Sequence, residues 1–368
     1  MIYRKMGSNE EAVSAIGFGT GFHLPENENG KTLKDTIQIS LDAGVNFIDT
    51  APVYGNGASE SLLGEILQKI GRNNVFLASK VSPEDTSYYG TIKSAENSLK
   101  RLKTDVIDLF QVHWPNPNVP LEETMAAMEK LVKDGKIKNI GVSNFLLTEI
   151  KGSVDSLKDE KLATVQAEYN LFERSVEDEL LPFCESRNII TIAYSPLAQG
   201  NLVNGKKQRI LINKLSEKYG STPGQLVLNW LVSRKNVIAI PNTSKPHRAR
   251  ENADSMNFTI SPDDYELMSK ELNTQISHVD LKKIRVSNDY NRKVYQTVQE
   301  AVENKMGMTP SPVELSEEMK KGLFLKPIRL KETSNGYDLV EGRLRYWAWV
   351  IAFGWDKKIP SLIWKREE

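Results

Sequence analysis

One cysteine, Cys184, occurs in 368 residues. That excludes a disulfide framework and a thiolate-rich metal site, so no metal centre is expected, and it suits a reducing compartment. Net charge is missing as well: 48 Lys and Arg balance 48 Asp and Glu. A chain built to attract phosphate backbones non-specifically would carry a surplus of cations, which argues against DNA as a partner. No apolar run approaches the roughly 18 residues that a membrane helix needs. The N-terminus, MIYRKMGSNEE, has no apolar signal core. These absences predict a cytoplasmic protein with no membrane partner. What remains is ordinary globular material, 39% hydrophobic and 26% charged, able to bury a sizeable core.

From Ala15 to about Ile240 short apolar runs alternate with longer amphipathic stretches. The strand-like runs are 15–20, 46–50, 75–81, 106–113, 137–143, 163–169, 189–195 and 237–241. They are continuous apolar runs rather than polar–apolar alternations, the pattern of strands buried on both faces of a parallel sheet. Helix-like segments lie between them, and those at 33–44 and 121–135 end in a glycine suited to a C-cap. Eight such repeats in about 250 residues predict a (β/α)8 TIM barrel. A doubly wound sheet would want a Gly-rich turn after its first strand, and GFGTG (17–21) lacks that spacing.

Functional side chains of such a barrel gather where its strands end. Here those positions hold Asp49, Lys80, His113, Ser143, Asn144, Gln166, Tyr194 and Asn242, with Tyr54 on the loop beyond Asp49. A phenol titrates near pH 10, too high for easy proton exchange at neutrality. An ammonium beside it would lower that value, a carboxylate would hold the ammonium, and an imidazole could orient a carbonyl oxygen. Nothing in the group supplies a hydride, so a reductant must come from a cofactor. Taken singly, each residue also has a structural reading: Asp49 as a helix N-cap, Lys80 as a strand-end lysine, Tyr194 as core, Cys184 as a buried thiol. Their coincidence in register favours the functional one.

The segments NFIDTAPVYG, LASK, VHWP, GVSNF, VQAEYN, AYSPL and IPNTSKPHRAREN, in that order, resemble the aldo-keto reductase family across residues 1–273. The resemblance implies a barrel that reduces aldehydes or ketones with NADP(H). It makes Tyr54 the general acid, Asp49 and Lys80 the residues that tune it, and His113 the one that orients substrate. Ser143, Asn144 and Gln166 would hold the nicotinamide carboxamide, and Tyr194 would stack on the ring. Ser195, Leu197 and Asn201 are open between a turn and a pyrophosphate contact. After the last strand, Lys245, Arg248 and Arg250 add cations at a helix start, where backbone N–H groups favour an anion. The family places Arg248 near the 2′-phosphate and Glu251 and Asn252 near the adenine. His23 and Trp114 are candidates for the substrate pocket. The same fold also serves non-catalytic, cofactor-reporting subunits, which is the competing reading.

Past a closing helix at 261–273 the pattern changes, and residues 277–368 read as a separate α+β domain. The expected elements are a strand at 278–286, a helix at 290–306, a helix from Val313, a hairpin around 334–336, a helix at 343–353 and a strand at 359–364. This segment resembles the ParB/sulfiredoxin fold. Glu341, Gly342 and Arg345, between a strand and a helix, would form a nucleotide phosphate cradle there. Arg343 stands where chromosome-segregation ParB proteins carry Glu, no DNA-reading helix pair follows, and the cysteine that sulfiredoxins need is missing. The alternatives are a bifunctional enzyme whose tail processes a nucleotide, or a docking or oligomerisation module, to which Trp347, Trp349, Trp355 and Trp364 would lend apolar surface.

Overall fold

The structure is a computed structural model that describes residues 1–21, 29–204, 206–272, 276–286, 295–308, 310–321 and 327–364. The chain divides into two compact units, Met1–Asn273 and Thr274–Glu368.

The first unit opens with an antiparallel hairpin, β1 (Tyr3–Met6) and β2 (Glu11–Ser14). Eight parallel strands follow: β3 (Phe18–Gly19), β4 (Phe47–Asp49), β5 (Phe76–Val81), β6 (Ile107–Val112), β7 (Ile137–Ser143), β8 (Leu162–Glu168), β9 (Ile190–Tyr194) and β10 (Val237–Ala239). Each pairs with its neighbour in chain order. A parallel bridge between Ile16 and Ala239 joins the first strand segment to the last, with Gly17 N–H donating to the Ala239 carbonyl at 2.8 Å. The eight-strand expectation thus becomes a closed barrel, and helices in the connections cover its outside with an apolar layer.

Period-two alternation sorts the barrel interior. Its lower layers are apolar, built from Phe47, Phe76, Ala78, Leu109, Ile190, Ile192 and Ile238. Met6 and Val13 of the N-terminal hairpin, both fully buried, join that cluster and plug the bottom. The hairpin was not expected, because YRKM and EAVS are short and half polar. One period further up, the inward positions turn polar at Asp49, Lys80, Gln111 and Gln166, all buried.

In the second unit a five-stranded mixed sheet runs in the order β11 (Ile276–Val279), β15 (Ile359–Trp364), β13 (Ile328–Thr333), β14 (Gly336–Glu341), β12 (Ile284–Arg285). β13 and β15 are parallel, while β13 and β14 form the expected hairpin around Ser334 and Asn335. The helices Pro312–Lys320 and Arg343–Phe353 fall where expected. The single strand expected at 278–286 is instead two, on different neighbours. Asp280 accepts the Lys282 N–H at 2.9 Å and turns the chain between them. Of the helix expected at 290–306, Val298–Val302 is helical, and 290–294 lies outside the described residues. Among the described residues no helix is long and apolar enough to cross a membrane.

Candidate active site

At the C-terminal mouth of the barrel the strand ends bring the expected residues together. Asp49 ends β4, and the Lys80 ammonium donates to Asp49 Oδ1 at 2.6 Å and to the Thr50 carbonyl at 2.9 Å. Both side chains are buried, so the pair is held by hydrogen bonds rather than by water. Asp49 Oδ2 accepts from Gln166 Nε2 at 2.9 Å and from Gln111 Nε2 at 3.2 Å. The carboxylate therefore has partners on both oxygens. Beside the ion pair, Lys80 Nζ lies 5.3 Å from the centre of the Tyr54 ring. The His113 and Tyr54 rings meet edge-on, 5.9 Å apart at 90°.

Electrostatics fixes the resting protonation of these groups. Burial lowers the Lys80 value, but Asp49 and Tyr54 outweigh it and hold the ammonium above its ordinary range, so it stays charged. His113 is pushed down to about 3 by burial and by Lys80, and is neutral at physiological pH; its Nδ1 is buried without a hydrogen-bond partner among the described residues. Tyr54 corrects one expectation. Burial raises its phenol above the ordinary value, and Lys80, which lowers it, only partly offsets this. The resting phenol is protonated, as a proton donor has to be.

Around this centre Asn144, with a left-handed φ of 62°, donates through Nδ2 to the His113 carbonyl and to Ser143 Oγ, each at 3.0 Å. Its Oδ1 accepts from the half-buried Tyr194 hydroxyl at 2.8 Å. Ser143, Asn144, Gln166 and Tyr194 thus share one side of the mouth. Ser195, with φ 49°, and the half-buried Leu197 begin the next loop. Asn201 is exposed and donates to the Ala198 carbonyl at 2.9 Å.

Lys245 precedes the helix Pro246–Asp254, which carries Arg248, Glu251 and Asn252. Lys245 and Arg248 are exposed, and their side chains have no hydrogen-bond or ion-pair partner among the described residues. Arg250 differs from these two in being paired with Asp254 at 2.8 Å on the surface of the helix. Trp114 is 48% exposed, and His23 lies outside the described residues.

Sequence reasoning missed Gln111, Thr50 and Gly21. Strand alternation would have placed Gln111 beside Asp49, since it stands opposite Lys80 in the β5–β6 register. A Cβ on Gly21 would lie 3.0 Å from Tyr54 Cζ, so a side chain there would press on the phenol. No pattern in the sequence announces that approach.

In the second unit, Glu341 ends β14, Gly342 takes φ 96°, and Arg345 sits in the first turn of Arg343–Phe353. The three are together, but engaged with one another and with Arg329. Glu341 is shared by Arg329 at 2.9 Å and Arg345 at 3.4 Å, and Arg345 also donates to the Pro327 carbonyl at 3.1 Å. Trp347 is buried, whereas Trp355 is 43% exposed. The side chain of Trp364 lies outside the described residues.

Comparison with known proteins bears on the first unit. The profile described as "Aldo/keto reductase family" matches residues 15–273. Methylglyoxal reductase of Escherichia coli is 34% identical over 264 residues, 72% of this chain and 92% of that protein. Glyoxal reductase of Bacillus subtilis is 34% identical over 249 residues, 68% of this chain and 86% of that one. Among solved structures, an aldo/keto reductase from Klebsiella pneumoniae in complex with NADP and acetate superposes with a TM-score of 0.68. It is 33% identical and covers 73% of this chain and 95% of its own. A closed barrel with a buried lysine–aspartate pair under a tyrosine, matched along nearly the whole length of these reductases, places the chain in the aldo/keto reductase family.

Proposed function

We propose that residues 1–273 form an NADP(H)-dependent reductase that converts an aldehyde or ketone to its alcohol, with Tyr54 as proton donor. The observation that carries this reading is a protonated, half-buried phenol beside a charged lysine and a neutral imidazole. Tyr54 gives its proton to the carbonyl oxygen. Lys80, kept charged by Asp49, lowers the cost of the phenolate left behind. His113 stays neutral, so it directs the carbonyl oxygen through a hydrogen bond and adds no second acidic proton to the mouth. The phenolate recovers a proton from solvent.

NADPH supplies the hydride when bound, and the residues present fit it. Ser143, Asn144 and Gln166 offer amide and hydroxyl groups for a carboxamide beside Tyr54, and Tyr194 offers a half-buried ring. Ser195, Leu197 and Asn201 line the way to the phosphates. Arg248 and Lys245, both without an ion-pair partner among the described residues, provide the cations that a 2′-phosphate dianion requires, with Glu251 and Asn252 one turn away for the adenine. The substrate class is small aldehydes, in keeping with the similarity to the glyoxal and methylglyoxal reductases. The test is oxidation of NADPH at neutral pH by the full chain with methylglyoxal and simple aldehydes. Turnover is expected, and no turnover with any carbonyl contradicts the reading.

For residues 277–368 we propose a ParB-like module with a nucleotide phosphate site at Glu341, Gly342 and Arg345. Its support is the order strand, Glu341, left-handed Gly342, helix. An incoming phosphate would have to take the place of the Glu341 carboxylate on Arg345. Calorimetry of the full chain with ATP, the barrel saturated with NADP, tests this. Saturable heat lost in Arg345→Ala supports the site; no heat, or heat retained in that variant, overturns it.

A further inference from the structure

Behind the mouth, in the helix layer, lies a buried carboxylate that no step above uses. Glu60 is on the helix Ala58–Ile70, which follows the Tyr54 loop, and it is fully buried. Its Oε1 accepts the Ser79 hydroxyl at 2.6 Å, and its Oε2 accepts Arg101 Nε at 2.6 Å. Ser79 immediately precedes Lys80 on β5. Strand alternation turns Ser79 outward to the helices and Lys80 into the barrel, so a tether on one fixes the backbone that aims the other.

The neighbouring residue holds the other end. The Ser59 N–H donates to the Tyr54 carbonyl at 3.2 Å, and its hydroxyl lies 3.1 Å from Thr50 Oγ1 and 2.9 Å from Thr20 Oγ1. Lys80 in turn donates to the Thr50 carbonyl at 2.9 Å. The links close a ring: Tyr54 loop, Ser59 and Glu60, Ser79, Lys80, Thr50, and back to the loop. The loop itself is tight. Gly55, Asn56 and Gly57 all have positive φ, and a Cβ on Gly57 would lie 2.8 Å from Arg101 Cδ. Glycine at 57 lets the arginine stem cross the start of the helix and reach Glu60. Arg101 keeps 30% of its side chain exposed while Glu60 keeps none, so the buried charge is met by a partner that stays hydrated.

We propose that Glu60 is a positioning residue, which through Ser79 and Arg101 sets the separation between the Tyr54 phenol and the Lys80 ammonium. The proposal rests on the reading of Tyr54 as proton donor. Attraction between an ammonium and a phenolate falls with distance, so a slack tether makes Tyr54 a weaker acid, ionising at higher pH. A pure field effect has the opposite sign. Deleting the negative charge of Glu60 leaves Arg101 uncompensated and favours phenolate, moving ionisation to lower pH.

The experiment compares the full-length parent with Glu60→Gln and Ser79→Ala; the second changes no charge. Methylglyoxal reduction is measured against pH, NADPH affinity by protein fluorescence, and Tyr54 ionisation without cofactor by 13Cζ-tyrosine NMR, assigned with Tyr54→Phe. Glu60→Gln is expected to lower kcat about tenfold or more, with KM and NADPH affinity within about threefold. In both variants the alkaline limb of kcat and the Tyr54 resonance midpoint move to higher pH, less in Ser79→Ala. A downward move in Glu60→Gln, or parental kcat and midpoint in Ser79→Ala, overturns the proposal. If Glu60→Gln does not fold, Ser79→Ala decides alone. A parent that reduces no carbonyl instead contradicts the reductase reading, and the NMR arm still judges Glu60.

Discussion

At the scale of residues, the chemistry depends on which groups are charged inside a site with little water. His113 holds its imidazole neutral because burial and the nearby Lys80 both penalise a second cation. This links activity to stability. In the unfolded chain a histidine titrates near 6.5, whereas here it is pushed down to about 3. A depressed folded value means that its contribution is complete above pH 6.5 and is lost as pH falls toward 3. By pH 5 the parent should have lost about 2 kcal/mol to this one group. His113→Asn removes the group and should flatten that part of the acid limb. Denaturant midpoints at pH 7.5 and 5 for both proteins check it, and equal losses would contradict the assignment. Much of this was legible in the sequence, because Asp49, Lys80 and His113 each close a strand. The protonated state of Tyr54 was not, since the depth of burial that outweighs Lys80 is a property of the packed site.

At the scale of elements, the helix Pro246–Asp254 shows how local pairing decides which cations remain available. Three cations are expected to serve an anion; Arg250 is paired with Asp254, while Arg248 and Lys245 have no ion-pair partner among the described residues. Arg248→Ala should therefore weaken NADPH binding about tenfold while leaving NADH within about twofold. Fluorescence titrations with both cofactors measure this. Equal weakening of the two would contradict a 2′-phosphate role. Elsewhere, elements with a strong local signal appeared where the pattern put them: the helix at 343–353, the strand at 359–364, and the hairpin at Ser334 and Asn335. Elements set by long-range pairing did not. β1 and β2 owe their place to the apolar floor of the barrel, which Met6 and Val13 fill, and Asp280 divides a stretch that periodicity reads as one strand.

At the scale of the molecule, each of the two units has its own apolar clusters, with the division at the change in sequence character near residue 274. In the barrel, the apolar-to-polar gradient along its interior is what creates an active mouth. Apolar layers exclude water from below, so the Lys80–Asp49 pair above them is held by protein partners rather than by solvent. The gradient follows from alternation and strand ends, which is why the site could be read from one sequence. The tether behind it could not, because Glu60, Ser79 and Arg101 meet only through the fold.

In the proposed reaction Tyr54 delivers the proton. The most direct measurement is turnover of NADPH and methylglyoxal by the full chain carrying Tyr54→Phe, which keeps the ring and removes only the hydroxyl. The expected result is a kcat lower by about two to four orders of magnitude, with NADPH affinity within about twofold of the parent. Turnover at the parental rate would contradict it.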